Sequence, residues 1–305
     1  MRAHVAFCLV ASLCGSPAVA SAAWVEPIAK PAIAAVDQAG WNAQKRRVKL
    51  SSGLELAYVD LGDPKGRPLL LLHGFTDSSR SWSLLVPDLH RYRLIIPDQR
   101  GHGASDAPDC CYDLTQLADD ARQLLDALQI DRAAVAGHSM GSMVTMALAA
   151  DHPERVERIV LLGSTAMAPV KRGDWLWTSV QGLTWPLDPD SAFLREWHPA
   201  NQPTAVDPAF ADAAMKDILS VKPHVWRGVV RALAEQPVAR HASDVRAPVL
   251  ILSGGKDPLF PAEHHLALVK AFPGSSAHVY PGLGHNFLWE HPAEVAQAIA
   301  AFMGE

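Results

Sequence analysis

Cysteine is scarce: the 305-residue chain holds four, and Cys8 and Cys14 fall near its start. That leaves Cys110 and Cys111, which are adjacent, so a disulfide framework stapling a small core is excluded; a vicinal bridge or two free thiols stay open. Basic runs are equally short. None exceeds Lys45-Arg46-Arg47 and the formal net charge is −5, so neither nucleic acid nor an anionic membrane surface is the expected partner. The histidines lack His-Glu-x-x-His or any comparable ligand spacing, and the neighbours His264 and His265 cannot put both rings on one helical face, so no metal is expected.

The first residues differ from the rest. Arg2 precedes the apolar run VAFCLVASLC, then Gly15-Ser16-Pro17 and a string of small residues. This is the pattern of an export leader over residues 1–22, with small-x-small sites at Ala18-Val19-Ala20 and Ala20-Ser21-Ala22. The run falls far below the roughly 18 to 20 apolar residues that span a bilayer, so stable membrane insertion is not expected. Export to periplasm or medium is the expectation. Residues 23–46 are rich in Ala and Pro without periodicity and read as an arm, and 47–305 as one catalytic domain.

From Val48 onward the pattern sharpens. RVKLSS and LELAYVDLG, on either side of Gly53, read as an antiparallel hairpin. PLLLLHG, YRLIIPD, AAVAGHS, RIVLLGS and APVLILSGG are continuous apolar runs bounded by turn formers, as strands buried on both faces are, and AHVYPG is a shorter instance. Between them lie helical stripes: Leu114, Leu117, Ala121, Leu124, Leu125 and Leu128 share one face, with Asp113 as cap and Gln116 in the reciprocal capping position. Val295, Ile299 and Phe302 form another stripe near the end of the chain. The alternation predicts an α/β fold, a mostly parallel sheet with helices on both faces. It breaks at about 165–245, a Pro-rich helical insertion holding Trp175, Trp177, Trp185, Trp197 and Trp226; this reads as a cap whose indoles line a pocket.

Chemistry enters at AVAGHSMGSMV. Ser139 is flanked by Gly137 and Gly141 where a strand gives way to a helix, and a side chain at either flanking position would collide with neighbouring chain. The turn holds the hydroxyl above the carboxyl end of the sheet at a helix N-terminus; Ser142, one turn on, points elsewhere. A serine hydroxyl needs a base, and the base an orienting acid. Asp257, in the turn after VLILSGG, and His285, in the loop after the last strand, follow in that order and lie beyond strand ends on the same edge. Asp244 and His291 are the nearest rivals, and neither follows a strand directly. Backbone N–H groups of Met140 and Phe75 are placed to receive the developing oxyanion, with His73 and Gly74 shaping that loop.

Four blocks, LLLLHGF, IIPDQRGHGASD, VAGHSMG and the pair GGKDPLFP with GLGHNFLWEHP, resemble the α/β-hydrolase superfamily in its capped esterase and lipase-like branch, over about residues 48 to 303. The block from Asp98 to Asp106 also occurs in haloalkane dehalogenases and epoxide hydrolases, but those use an aspartate nucleophile where Ser139 stands here. The resemblance implies a serine hydrolase of small-molecule carboxylic esters or lactones, acting through an acyl-enzyme and needing no cofactor, and the tryptophan-rich cap suggests an apolar acyl or alcohol group. Hydrolysis of a carbon–carbon bond in a diketone-like compound by the same triad is the alternative within enzymes; a non-catalytic binding protein is the alternative outside them.

Overall fold

The computed structural model describes residues 36–201, 206–236 and 238–304. The expected leader and residues 23–35 of the expected arm lie outside them. Eight strands form one sheet: β1 (Arg46–Lys49), β2 (Glu55–Gly62), β3 (Pro68–Leu72), β4 (Arg93–Pro97), β5 (Ala133–His138), β6 (Val156–Leu162), β7 (Val249–Gly254) and β8 (Ser276–Tyr280). Their order is β1-β2-β4-β3-β5-β6-β7-β8. β1 and β2 make the expected hairpin, with Arg46 opposite Tyr58, and β2 is antiparallel to β4; every later pairing is parallel.

The order reverses at β3. The chain leaves β3 for β4 on one side, then crosses back so that β5 lies on the other side of β3. Loops leaving the carboxyl ends of β3 and β5 therefore diverge to opposite faces and leave a crevice between them, where open α/β sheets bind ligands. The loop after β3 carries Phe75, and the turn after β5 carries Ser139.

Pleating divides the central strands between two cores. Leu70, Leu72, Val135, Ile159, Leu161 and Ile251 face one side. Leu69, Leu71, Ala134, Ala136, Val160, Leu162, Leu250 and Leu252 face the other. The helix Leu114–Ala127 packs its predicted stripe on the first core, and Asp113 Oδ1 accepts from the Gln116 N–H at 2.9 Å. The reciprocal half of the capping box is not made: Gln116 Nε2 donates to Asp120 Oδ1, 3.2 Å away, because Asp120 is turned inward to hold Arg100. The helix Met140–Asp151 is buried nearly all round, which is why its sequence shows small and apolar residues with no polar face.

Residues 36–45 are fastened to the body. Trp41 is buried and its Nε1–H donates to Ser79 Oγ at 3.2 Å; Gln38 Nε2–H donates to Ser83 Oγ at 3.0 Å. Lys45 pairs with the fully buried Asp98 at 2.7 Å, and Asp98 also accepts from the Ser79 and Ala104 N–H groups at 2.8 Å each. Burial pushes the Asp98 carboxyl up, but the Lys45 ammonium and these donors outweigh it and hold it below the usual carboxylate range.

Between β6 and β7 run the helices Trp175–Gln181, Ala192–Asn201, Pro208–Ser220, Pro223–Glu235 and Val238–Asp244. The last packs on the helix Met140–Asp151 and so belongs with the body. The others are tied down by side chains: Ser78 Oγ–H and Arg80 Nε–H donate to Asp217 Oδ2 at 2.7 and 2.9 Å, and the Leu114 N–H donates to Gln236 Oε1 at 2.7 Å. Cys110 and Cys111 are joined as a vicinal disulfide in the loop before Asp113. No helix among the described residues is long and apolar enough to cross a membrane.

Removing Lys45 leaves the Asp98 charge buried without its counterion. Lys45→Met should cost about 3–5 kcal/mol of unfolding free energy, read from urea denaturation. A loss below about 1 kcal/mol would mean that the backbone donors alone carry Asp98.

Candidate active site

Ser139 stands at the bend between β5 and the helix that follows, with φ 52° and ψ −120°. A non-glycine residue there stores roughly 1–3 kcal/mol of strain, held by surrounding contacts. The Ser139 N–H donates to the Leu162 carbonyl at 2.9 Å, and its own carbonyl accepts from the Ser142 N–H at 2.9 Å. Both flanking glycines are sterically required. A Cβ at Gly137 would overlap the Gly141 carbonyl, and one at Gly141 would overlap the carbonyls of Leu72 and His73 at the end of β3. Ser142 turns its hydroxyl to the Ser139 carbonyl and to Ser164 Oγ, away from the cavity.

Asp257 and His285, 28 residues apart, meet in the interior: His285 Nδ1–H donates to Asp257 Oδ2 at 2.7 Å. Asp257 Oδ1 accepts from the Leu259 and Phe260 N–H groups at 2.8 and 2.9 Å, so the carboxylate is fixed at both oxygens. Burial raises its pKa, but the adjacent imidazole and the two backbone donors outweigh that, and the net shift is downward. With Nδ1 carrying the proton, Nε2 of the neutral ring is a lone pair. It is buried and has no hydrogen-bond partner among the described residues. His285 and Ser139 border one cavity. A base oriented by a carboxylate beside a hydroxyl is the arrangement that activates a serine nucleophile.

The candidate oxyanion loop follows β3. The Phe75 N–H makes no hydrogen bond among the described residues, and the Met140 N–H, first of its helix, has no partner within it. His73 is not a free base: Nδ1–H donates to the Gly74 carbonyl at 2.8 Å and Nε2 accepts from the Gln99 N–H at 2.9 Å, while Gln99 Nε2–H returns to the His73 carbonyl at 2.7 Å. Burial lowers its pKa to about 3, so the neutral ring shapes the loop. The rivals lie elsewhere. Asp244 is exposed at a helix end, and His291 is bound to Glu294 at 3.0 Å on the surface.

Two hollows meet at Ser139 and Phe75. One is apolar, walled by Met143, Val170, Leu176, Leu233 and Phe260. The other is more polar, with Thr76, Asp77, His138 and Asn286 beside Ile218 and Trp289. Of the five cap tryptophans expected to line a pocket, Trp197 borders both hollows. The other four border neither. Trp226 is fully buried behind Phe75 and Trp197, with ring centroids 4.9 and 5.6 Å away. Trp175 and Trp185 are more than a third exposed, and Trp177 lies under the Arg172 guanidinium. Indoles in an insertion serve its own packing first, and composition cannot separate that from lining. Asp77 and Asn286 stand in the loops of Phe75 and His285, and that nearness in sequence is the signal that points to them.

A family model described as alpha/beta hydrolase fold matches residues 67–181 and 185–292. The chain is 32% identical over 280 residues to the dihydrolipoyllysine-residue acetyltransferase component of the acetoin cleaving system of Pseudomonas putida, covering 88% of this chain and 71% of that one. It is 27% identical over 277 residues to the 2-hydroxymuconate semialdehyde hydrolase of Pseudomonas sp. strain CF600, covering 84% and 93%. Among solved structures, an esterase from Rhodococcus sp. ECU1013 superposes with a TM-score of 0.74 at 27% identity, covering 86% of this chain and 99% of that one.

The overlap at Gly141 is with backbone, which cannot swing aside. Gly141→Ala should therefore yield little folded protein, or folded protein whose unfolding midpoint drops by several degrees, checked by circular dichroism melting. An unchanged midpoint would contradict the close approach.

Proposed function

Because the chain belongs to the alpha/beta hydrolase family, we propose that it is a serine hydrolase that cleaves small carboxylic esters or lactones through an acyl-enzyme. The observation that carries this reading is the 2.7 Å bond from His285 to Asp257, with the unpartnered Nε2 of the same ring on a cavity shared with Ser139. Ser139 Oγ attacks the carbonyl carbon and His285 Nε2 takes its proton. Asp257 keeps the ring in register and stabilises the imidazolium. The Phe75 and Met140 N–H groups receive the oxyanion, His285 returns the proton to the departing alcohol, and a water activated by the same nitrogen releases the acid. The apolar hollow supports an apolar acyl or alcohol group. The leader pattern at residues 1–22 supports export as the setting of the reaction.

A second reading has its own support. A semialdehyde offers no ester bond to water, so a hydrolase named for 2-hydroxymuconate semialdehyde must part a carbon–carbon bond, and the likeness to that protein spans 93% of its length. The same triad performs that step when the leaving group is a carbanion stabilised by a neighbouring carbonyl.

A panel of p-nitrophenyl esters set beside vinylogous diketones separates the two. Ester turnover is expected, with kcat reduced by about 10⁴ to 10⁶ in Ser139→Ala and His285→Ala and by about 10⁴ in Asp257→Asn. Turnover of diketones alone would transfer the assignment to the second reading. Folded protein that acts on neither would refute both, and an Asp257→Asn variant of nearly full activity would mean that the acid is misassigned.

A further inference from the structure

One carboxyl beside the nucleophile has no part in that chemistry. A Cβ placed on Gly74 would lie 2.8 Å from Asp77 Oδ2, 3.1 Å from His138 Nδ1 and 3.3 Å from Ser139 Cβ, so these three side chains gather round one bare backbone position. Asp77 and His138 both border the more polar hollow.

Burial disfavours the Asp77 anion, and the groups around it divide. His138 Nε2–H donates to the His285 carbonyl at 3.1 Å, which fixes the tautomer and leaves a lone pair on Nδ1. That Nδ1 has no hydrogen-bond partner among the described residues and lies 3.9 Å from Asp77 Oδ2. Burial, then the neighbouring His285, lowers the His138 pKa to about 3, so the ring facing Asp77 is neutral. From the cap, Asp217 adds a carboxylate, itself engaged by Arg80 and Ser78. Favouring the anion are the Ser81 hydroxyl, His285 and the Gly74 backbone. Burial wins, and the Asp77 carboxyl is pushed up to about 7.

We propose that Asp77 is a second substrate-contacting acid of this site: its O–H donates a hydrogen bond to an uncharged oxygen of the substrate, a keto, ether or ester oxygen seated beside the carbonyl that Ser139 attacks. It thereby selects substrates that carry such an acceptor. An apolar group in the same place leaves a buried donor unpaired, and that penalty is the source of the discrimination. Above its pKa, Asp77 presents lone pairs to the acceptor and the preference disappears. The inference rests on the serine-hydrolase reading of the same site.

The test compares p-nitrophenyl methoxyacetate with p-nitrophenyl butanoate, in which a methylene replaces the ether oxygen, in wild type, Asp77→Asn and Asp77→Leu between pH 5.5 and 8.5. The readout is the ratio of the two kcat/KM values, which cancels the part of the pH dependence that both esters share. In wild type the ratio should fall about tenfold as pH rises through the ionisation of Asp77. In Asp77→Asn the amide still donates but does not ionise, so the ratio should hold across the range. In Asp77→Leu it should be low throughout. A ratio in Asp77→Asn that follows the wild-type pH course, or a wild-type ratio independent of pH, would overturn the proposal. Should the leucine variant fail to fold, the asparagine variant decides alone. Labelling with a fluorophosphonate keeps the two claims apart. Ser139 modified in wild type and in Asp77→Asn leaves the ratios to judge Asp77, whereas an unmodified wild-type Ser139 would take down the serine-hydrolase reading and this inference with it.

Discussion

The first turn of the helix after β5 lies so close to the end of β3 that Gly141 has no room for a single methyl group, and Gly137 has none against the Gly141 carbonyl. At that bend Ser139 takes a left-handed backbone conformation, and the residue borders the cavity. The same approach brings the N-terminus of the helix against the loop that carries Phe75, so the candidate nucleophile and the two candidate oxyanion donors stand together. Burial of the helix on all sides keeps it there, because any retreat would open a void against the sheet and the helices packed on it.

Around that contact, charge is buried only where it is paired. Lys45 with Asp98 and Arg100 with Asp120 are hydrogen-bonded ion pairs away from the cavity, and each ties a loop to the body. Asp257 is buried with an imidazole and two backbone donors. Asp77 is the exception, since it faces a lone pair and a second carboxylate and is raised towards neutrality by burial. One loop edge thus holds a carboxyl pulled down and another pushed up, a separation of roles that functional sites favour.

Much of this was legible in the chain. The buried strands announce themselves as apolar runs between turn formers, the hairpin around Gly53 by its spacing, and the elbow by glycines that sterics demand. The order of Asp257 and His285 and their place after strands point to their meeting, because parallel winding sends every such loop to one edge. What escaped depends on contacts distant in sequence. Nothing in an Ala- and Pro-rich lead-in tells that Trp41 will reach Ser79 or Lys45 reach Asp98. Among the cap tryptophans Trp197 borders both hollows, but Trp226 looks the same in sequence whether it lines a hollow or supports the residue that does. Gln116 took Asp120 in place of its cap because Asp120 had been drawn inward by Arg100, a partner 20 residues away.

The account's central claim is that Ser139 becomes covalently acylated during turnover. Rapid quenching of the protein with a p-nitrophenyl ester, followed by mass spectrometry of its peptides, tests this directly. The expected result is one acyl group on the peptide that contains Ser139, formed as fast as the first turnover and absent after substitution of His285. Steady hydrolysis with no adduct at any time, or an adduct on another residue, would contradict it.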